Sequence, residues 1–233
     1  MLNLSIFIIS WHGRHEQALQ IADALQSRVE SLSIVYSDPD PDFMVQADCR
    51  VIRRPNDRFF ADKFQACIEH CEVGSGMMLI HADCHSEAWG RLVDVCHGTL
   101  NANPWIGVWA PRVLGTPYDV QKTEISSLPN TPISVVAQTD AIVFALAAQV
   151  TDRMRRVDYS VSRYGWGLDW IFCAHTMSIG KCLVVDRSCL VKHAVGSGYS
   201  RDEALQEMKV LLDSMTPVEK IQFHLLNCWL RRR

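Results

Sequence analysis

Leu4-Ser5-Ile6-Phe7-Ile8-Ile9 is a nearly continuous apolar run near the start of the sequence. Such a run is typical of a strand that is covered on both faces of a parallel sheet. Apolar residues then recur at helical spacing from Ala18 to Leu25, and residues 32–36 form a second apolar run that stops at a turn rich in Asp and Pro. This order predicts a strand, a helix and a second strand, the βαβ unit of α/β folds.

The same alternation continues along the chain. It predicts helices over about 64–71, 89–96, 139–155 and 168–179, two more helices after residue 200, and strands over about 77–80, 106–110, 135–137 and 183–185. Residues 111–132 are rich in Pro, Gly, Ser and Thr, which predicts a long loop. We therefore expect an α/β fold with a mostly parallel central sheet.

Composition narrows the classes of function. The chain has 233 residues, of which 48% are hydrophobic, and this fits one globular domain with a substantial core. A net charge of −3 argues against a protein that grips nucleic acid. The nine cysteines form no CxxC pair, and the longest apolar run, residues 141–150, is shorter than the roughly 20 residues that cross a membrane. We expect a soluble protein of a reducing, cytoplasmic compartment.

A carboxylate follows the strand predicted over residues 77–80. Asp83 would lie at the carboxyl edge of the sheet, where open α/β folds bind ligands, and it could hold Mg2+ or Mn2+. His81 and His85 alternate with Asp83, so on an extended backbone all three side chains could point the same way and form a softer, zinc-type site. The alternative is that Asp83 caps a helix that starts near Ser86.

The segment Gly165-Trp166-Gly167-Leu168-Asp169 places an indole and a carboxylate at a predicted helix start. There Asp169 could act as a base, Gly167 could let the backbone approach a ligand, and Trp166 could stack on a sugar ring. A packed turn that is capped by Asp169 is the alternative.

A histidine follows the last predicted strand. His193 could bind a metal ion, although a lone histidine at a strand end is more often a satisfied surface or core residue. Residues 194–199 include two glycines and could fold over a bound ligand, with Tyr199 close to phosphate oxygens. A solvated loop explains the polar residues of this segment equally well.

Four residues could contact a nucleotide. Trp11 follows the first strand and could stack on a base, and Asp38 closes the second strand and could accept hydrogen bonds from a base or a ribose. Arg58 and Lys63 lie before and within the helix that precedes Asp83, where they could neutralise a diphosphate. Ordinary turn chemistry at Asp38 and surface solvation of the two cations are the alternatives.

In their order and spacing, these segments resemble nucleotide-sugar-dependent glycosyltransferases of the GT-A fold, in the manner of the inverting, family 2-like enzymes. His81-Ala82-Asp83 resembles the DxD motif, Gly165 to Asp169 resembles the turn that carries the base, and His193 resembles the final metal ligand. The first acidic position of DxD, which commonly faces the ribose, is His81 here. The resemblance covers most of the chain and implies a Rossmann-related three-layer sandwich.

The resemblance implies that a sugar is transferred with inversion from a UDP- or GDP-sugar donor to a saccharide, a lipid-linked or a protein acceptor. Asp169 would deprotonate the acceptor hydroxyl, and Asp83 and His193 would hold Mn2+ or Mg2+. The implied nucleotide contacts are Trp11, Asp38, Arg58, Lys63 and His81, and the implied substrate contacts are Trp166, Gly167 and Tyr199. It also implies a nucleotide-binding half over about 1–110, an acceptor half over about 133–200 and C-terminal helices over about 201–233.

Other interpretations stay open. A zinc-dependent hydrolase could use His81, Asp83, His85 and His193 to activate water, and the altered DxD position would suit a domain that binds a nucleotide sugar without turning it over. In the last predicted helix, Val218, Ile221, Leu225 and Trp229 precede three arginines, a pattern that could contact a membrane peripherally. For this helix we favour core packing with a basic tail.

Overall fold

The computed structural model describes residues 3–194 and 199–232. The glycines of the segment that could fold over a ligand, Gly196 and Gly198, lie outside the described residues, and so does Arg233 of the basic tail.

A mixed sheet forms the centre of the molecule. Its strands are β1 (Leu4–Trp11), β2 (Leu32–Ser37), β3 (Arg50–Arg53), β4 (Gly76–His81), β5 (Cys84–His85), β6 (Ile106–Leu114), β7 (Glu124–Ser127), β8 (Ile133–Val136), β9 (Val143–Leu146) and β10 (Cys182–His193). They are ordered β3-β2-β1-β4-β9-β6-β10-β8-β7, and β5 pairs with β10.

Helices cover both faces of this sheet. They are α1 (His15–Leu25), α2 (Phe60–His70), α3 (Trp89–Ala102), α4 (Val120–Thr123), α5 (Ala148–Met154), α6 (Leu168–Ser178), α7 (Arg201–Leu212) and α8 (Pro217–Leu230), with a 3₁₀ turn at Tyr159–Val161. One core cluster lies under α2, α5 and α6, and the other lies under α1 and α3. The result is a three-layer arrangement.

The strand directions confirm the expected fold class. The parallel pairs β3-β2, β2-β1, β1-β4 and β6-β10 share one direction, because β9 pairs antiparallel with both β4 and β6. Residues 4–10 of β1 are all buried, as its apolar run predicts for a strand inside a covered sheet.

The prediction of a helix over residues 139–155 is wrong for the first half of this range. Residues 143–146 form β9, which fills the gap between β4 and β6, and α5 begins only at Ala148. The run Val-Phe-Ala-Leu is apolar at every position, a pattern that fits a buried helix and a buried strand equally well. Pairing with two neighbouring strands decides between them.

Two polar strands were also missed. The long loop expected over residues 111–132 contains the end of β6, α4 and β7, and residues 50–53 form β3. Both β3 and β7 are edge strands that pair with one neighbour, so they need no apolar pattern.

Core packing was the interpretation favoured for the last helix, and it is only partly right. Trp229 packs against the core, whereas Val218, Ile221 and Leu225 are exposed. Within the described part of the chain, no helix has the length and apolar character needed to cross a bilayer.

Candidate functional site

The carboxyl ends of β1, β2 and β4 meet at one edge of the sheet, and β10 reaches the same place. β10 pairs with β6 up to Lys192, with an irregularity after Asp186, and its last two residues also pair with β5. In this pairing His193 lies opposite Cys84, directly after Asp83. The topology therefore brings the end of β4 and the end of β10 together.

Three side chains form what we call the histidine–aspartate cluster. His81, Asp83 and His193 each offer one ligand atom, and these atoms lie within 4.8 Å of one another. His193 Nε2 is 3.3 Å from Asp83 Oδ2. The cluster contains the residues expected to bind the metal and the residue that replaces the first acid of DxD.

The unused polar atoms of this cluster test whether a cation fits. His81 Nε2, Asp83 Oδ1 and His193 Nδ1 are buried and have no hydrogen-bond partner among the residues that the structure describes. Buried polar atoms normally have partners, so three orphaned atoms in one cluster call for an explanation. Imidazole and carboxylate groups are the ligands that Mn2+ and Zn2+ accept, and the residues present thus fit a divalent cation.

The protonation of the cluster favours metal binding. Burial lowers the pKa of His81 to about 4, so its imidazole is neutral near pH 7. Burial opposes the ionisation of Asp83, but the hydrogen bond from His193 and the nearby positive charges outweigh it and lower the pKa of Asp83. The pair presents a neutral nitrogen and an ionised oxygen, the forms that bind metals.

His85 does not join the cluster. Ala82 and Asp83 form a turn, and His85 is an exposed residue that pairs with Lys192 in the β5-β10 ladder. It lines a separate cleft with Arg91 and Lys192. The expectation that His81, Asp83 and His85 share a face is wrong, because the turn interrupts the strand alternation on which it relied.

Asp169 lies in the first turn of α6, as expected. Its Oδ2 accepts a hydrogen bond of 3.0 Å from Gln138 Nε2. Burial, with a contribution from the charge of Asp140, raises the pKa of Asp169 to about 7. A carboxylate with such a pKa can accept a proton near neutral pH.

Asp140 is the acidic residue of the site that the sequence reasoning missed. It is buried, and burial raises its pKa, while Thr116 and His193 act in the opposite direction. The charge of Asp140 raises the pKa of Asp169, and His193 lowers the pKa of Asp140. Asp140 is therefore close enough to interact both with the expected base and with the histidine–aspartate cluster. The polar triplet of residues 138–140, which separates two apolar runs, is the signal that could have revealed it.

The glycines before Asp169 serve the packing of the turn. Gly167 has φ 96°, and a Cβ at this position would lie 2.9 Å from Met208 Cγ. Gly165 has φ 72°, and a Cβ added at this position would lie 2.7 Å from Phe60 Cδ1. Close approach therefore occurs between protein segments, and a contact of Gly167 with substrate stays a prediction.

Aromatic rings surround this turn. Trp166 Nε1 donates a hydrogen bond of 2.8 Å to the Tyr199 hydroxyl. Tyr199 stacks on Tyr164 with 4.5 Å between ring centroids, and Phe59 lies 4.9 Å from Tyr164. The structure thus joins Trp166 and Tyr199, two of the expected substrate contacts, in one aromatic group.

Among the expected nucleotide contacts, Trp11 lies edge to face with His81, and the ring centroids are 5.7 Å apart. Asp38 is buried, and its Oδ2 lies 2.9 Å from both His12 Nδ1 and His15 Nε2. Burial opposes the ionisation of Asp38, but these hydrogen bonds lower its pKa to about 2. His12, one of these two partners, is 72% exposed.

Lys63 is buried, while Arg58 is exposed. Lys63 Nζ donates hydrogen bonds to the carbonyl oxygens of Arg58, at 2.9 Å, and Phe59, at 3.3 Å. Burial lowers the pKa of Lys63 to about 8. The amine is near enough to His81 for its charge to disfavour the imidazolium form. Lys63 therefore lies beside the cluster and fixes the loop that carries Arg58.

Comparison with known proteins shows similarity in fold but no match to a family model or to a curated protein. Among solved structures, the crystal structure of GalNAc-T7 with UDP, GalNAc and Mn2+ is similar with a TM-score of 0.60 and 9% identity. The match covers 84% of this chain and 44% of that one, so this chain spans less than half the length of GalNAc-T7.

A second similar structure is CMP:2-keto-3-deoxy-manno-octonic acid synthetase complexed with CTP. Its TM-score is 0.51 and its identity 15%, and the match covers 91% of this chain and 98% of that one. Together with the strand order, these similarities show that the chain has a GT-A-like, Rossmann-related α/β fold.

Proposed function

We propose that this protein is a metal-dependent glycosyltransferase that moves a sugar from a nucleoside diphosphate donor to an acceptor hydroxyl with inversion. The observation that carries the proposal is the histidine–aspartate cluster at the carboxyl edge of a GT-A-like sheet. Its three potential ligand atoms lie within 4.8 Å of one another, and each side chain has a buried polar atom without a hydrogen-bond partner in the described part of the chain. GalNAc-T7, a protein of similar fold, was solved with UDP, GalNAc and Mn2+.

Asp169 is the proposed base. Its pKa of about 7 allows the carboxylate to take the proton from an acceptor hydroxyl as the hydroxyl oxygen attacks the anomeric carbon. The proton ends on Asp169, and the bond between the sugar and the diphosphate breaks. The hydrogen bond from Gln138 orients the carboxylate. Trp166 and Tyr199 would pack against a sugar ring from the side of α7.

Asp83, His193 and His81 are the residues that would hold the cation. Two imidazoles and one carboxylate favour Mn2+ over Mg2+, which prefers oxygen ligands. When bound, a divalent cation stabilises the negative charge that develops on a departing diphosphate. Trp11, which lies edge to face with His81, would stack on the base, and the exposed Arg58 would approach the diphosphate. In this scheme, residues 1–110 supply most nucleotide contacts and residues 133–200 supply the base.

A thermal-shift panel tests the cluster. We expect UDP or GDP to raise the melting temperature in the presence of Mn2+ and to have a smaller effect without it. Asp83→Ala should remove the Mn2+-dependent part of the shift, and His85→Ala, an exposed neighbour outside the cluster, should leave it intact. An unchanged shift in Asp83→Ala would show that Asp83 does not hold the cation.

Transfer itself needs a separate test. Asp169→Asn should abolish sugar transfer and retain the nucleotide-dependent shift, since the base acts after binding. A fully active Asp169→Asn variant would exclude Asp169 as the base. A wild-type protein that binds donor without turnover would support the catalytically inactive alternative.

A zinc-dependent hydrolase is the second candidate, because two imidazoles and one carboxylate also suit Zn2+. Without His85, this candidate keeps three protein ligands, the number found in catalytic zinc sites. Stoichiometric zinc in the purified protein, with no response to Mn2+ and nucleotide, would favour the hydrolase over the transferase.

A further inference from the structure

The last helix, α8, has an apolar outer face. Val218, Ile221 and Leu225 are 52%, 58% and 59% exposed, and Cys228 continues the same row at helical spacing. Large apolar side chains that are exposed singly are common, but a continuous row along one helix is a feature of binding surfaces.

The inner face of α8 is fixed, so the helix cannot turn to bury this row. Glu219 is 1% exposed and accepts hydrogen bonds from Arg153 Nε, at 2.7 Å, and Arg153 Nη2, at 2.9 Å. Phe223 packs edge to face on Trp170 with 5.1 Å between ring centroids. Leu226 is buried beside them. The apolar row therefore faces solvent as a consequence of the fold.

The unbalanced charge beside the row is positive. Glu219 is the only acidic residue in the sequence of α8, and it points inward. Arg231 and Arg232 are exposed directly after the helix, at the end of the row next to Cys228. At the opposite end, the exposed carboxylate of Asp213 lies 3.7 Å from Lys220 Nζ, which balances its charge. The outer face thus combines apolar side chains with unbalanced positive charge.

We propose that this face, formed by Val218, Ile221, Leu225, Cys228, Arg231 and Arg232, docks on an anionic membrane surface. The apolar row would enter the boundary between headgroups and acyl chains, and the arginines would contact anionic lipids. This inference does not depend on the proposed transfer reaction.

A membrane fits this face better than a second copy of the chain. The face is one helix wide and about 21 Å long, as follows from 14 residues at about 1.5 Å each. A stable protein interface generally needs more than about 1,000 Å2 and complementary shape. A fluid lipid surface needs no complementary shape, and its anionic headgroups supply negative charge that would neutralise the two arginines.

Vesicle binding tests the proposal. The protein should co-sediment with phosphatidylcholine vesicles that contain phosphatidylglycerol, bind pure phosphatidylcholine vesicles more weakly, and lose affinity as salt rises. Replacing Ile221 and Leu225 together by Ser should lower the partition coefficient about tenfold or more. Replacing Arg231 and Arg232 by Gln should lower it by a similar factor on the anionic vesicles only.

A matched control removes apolar residues elsewhere. Val73→Ser with Ile125→Ser deletes two exposed apolar side chains far from α8 in the sequence, and vesicle binding should not change. Unchanged melting temperatures show that all variants fold. Equal losses in the control and in the α8 variant, or no binding to anionic vesicles, would overturn the proposal.

The position of Cys228 gives a second readout. It is the exposed member of the nine cysteines, and a polarity-sensitive fluorophore attached there should brighten and shift to shorter wavelength on anionic vesicles. Cys228→Ser gives the background from the other thiols. A shift that appears without vesicles and grows with protein concentration would show that a second copy covers the face, and the proposal would fall.

Discussion

At the scale of single residues, Asp140 interacts electrostatically with both Asp169 and the histidine–aspartate cluster. It is a buried carboxylate whose charge disfavours ionisation of Asp169, and its own titration responds to His193. Two nearby buried carboxylates raise each other's pKa, because both charges are costly in a region of low polarity. Asp140 would therefore make Asp169 a stronger base than an exposed carboxylate.

This coupling predicts the effect of Asp140→Asn. In the wild type, the transfer rate should rise with pH and level off above about 7, since only ionised Asp169 accepts a proton. Removing the charge of Asp140 should lower the pKa of Asp169, and the profile should shift toward acid pH. A 13C NMR titration of the Asp169 carboxyl group measures the same shift without turnover.

Asp42→Asn is the matched control, because it removes a carboxylate from an exposed turn. It should leave both the rate profile and the NMR titration unchanged. If Asp140→Asn behaved in the same way, the charge of Asp140 would not reach Asp169 and the proposed link between the two carboxylates would be wrong.

Among the site residues, those that directly follow a recognisable strand or begin a recognisable helix could be predicted from the sequence. Asp83 follows a strand whose apolar run identifies it, and Asp169 follows glycines that mark a helix start. Asp140 was hidden inside the helix expected over residues 139–155, and Gln138 lay directly before it, because the apolar run after them fits either secondary structure. Asp38 meets His12, in the turn after β1, and His15, the first residue of α1, through tertiary packing that no local pattern encodes.

At the scale of elements, α8 is held by one buried ion network. Glu219 bonds Arg153 of α5 and lies 2.9 Å from His175 Nδ1 of α6, and it also accepts the backbone N–H of Thr216 at 2.7 Å. The same carboxylate completes a capping box with Thr216 at the start of α8. One side chain therefore caps this helix and joins it to two others.

Glu219→Gln should destabilise the protein by about 3–5 kcal/mol, because it leaves the buried guanidinium of Arg153 without a counter-ion. Urea unfolding measures this loss. Asp213→Asn breaks the exposed pair with Lys220 and should cost no more than about 1 kcal/mol. Equal effects of the two changes would show that the buried network is not what holds α8.

The same network gives a pH dependence of stability. Burial opposes ionisation of Glu219, but its bonds to His175 and Arg153 lower its pKa below the usual 4.5. Because the pKa of Glu219 is lower in the folded state, its ionisation stabilises the fold fully at pH values above the pKa of the unfolded state. This contribution declines as the pH falls below about 4.5. Glu219→Gln should flatten the acid limb of the stability curve.

At the scale of the whole molecule, β9 is what makes the sheet continuous. It lies between β4 and β6 and joins the ladder of β1, β2 and β4 to the ladder of β6 and β10, while β5 links the end of β4 to β10 only at the carboxyl edge. His81 ends β4 and His193 ends β10, so the cluster draws on both halves of the sheet. Local sequence patterns cannot predict this, because the pairing depends on segments that are distant along the chain.

Hydrogen exchange tests this role of β9. The backbone amides of Phe144 and Leu146 lie in a buried central strand, and they should exchange only through global unfolding, at the same free energy as those of Leu79 in β4. The exposed edge strand β7, which pairs only with β8, should exchange through smaller openings at lower free energy. A helix over residues 139–155 would instead open independently of the sheet. If β9 exchanged as fast as β7, the two halves of the sheet would be separate folding units, and the site between them would have to form by docking after each half had folded.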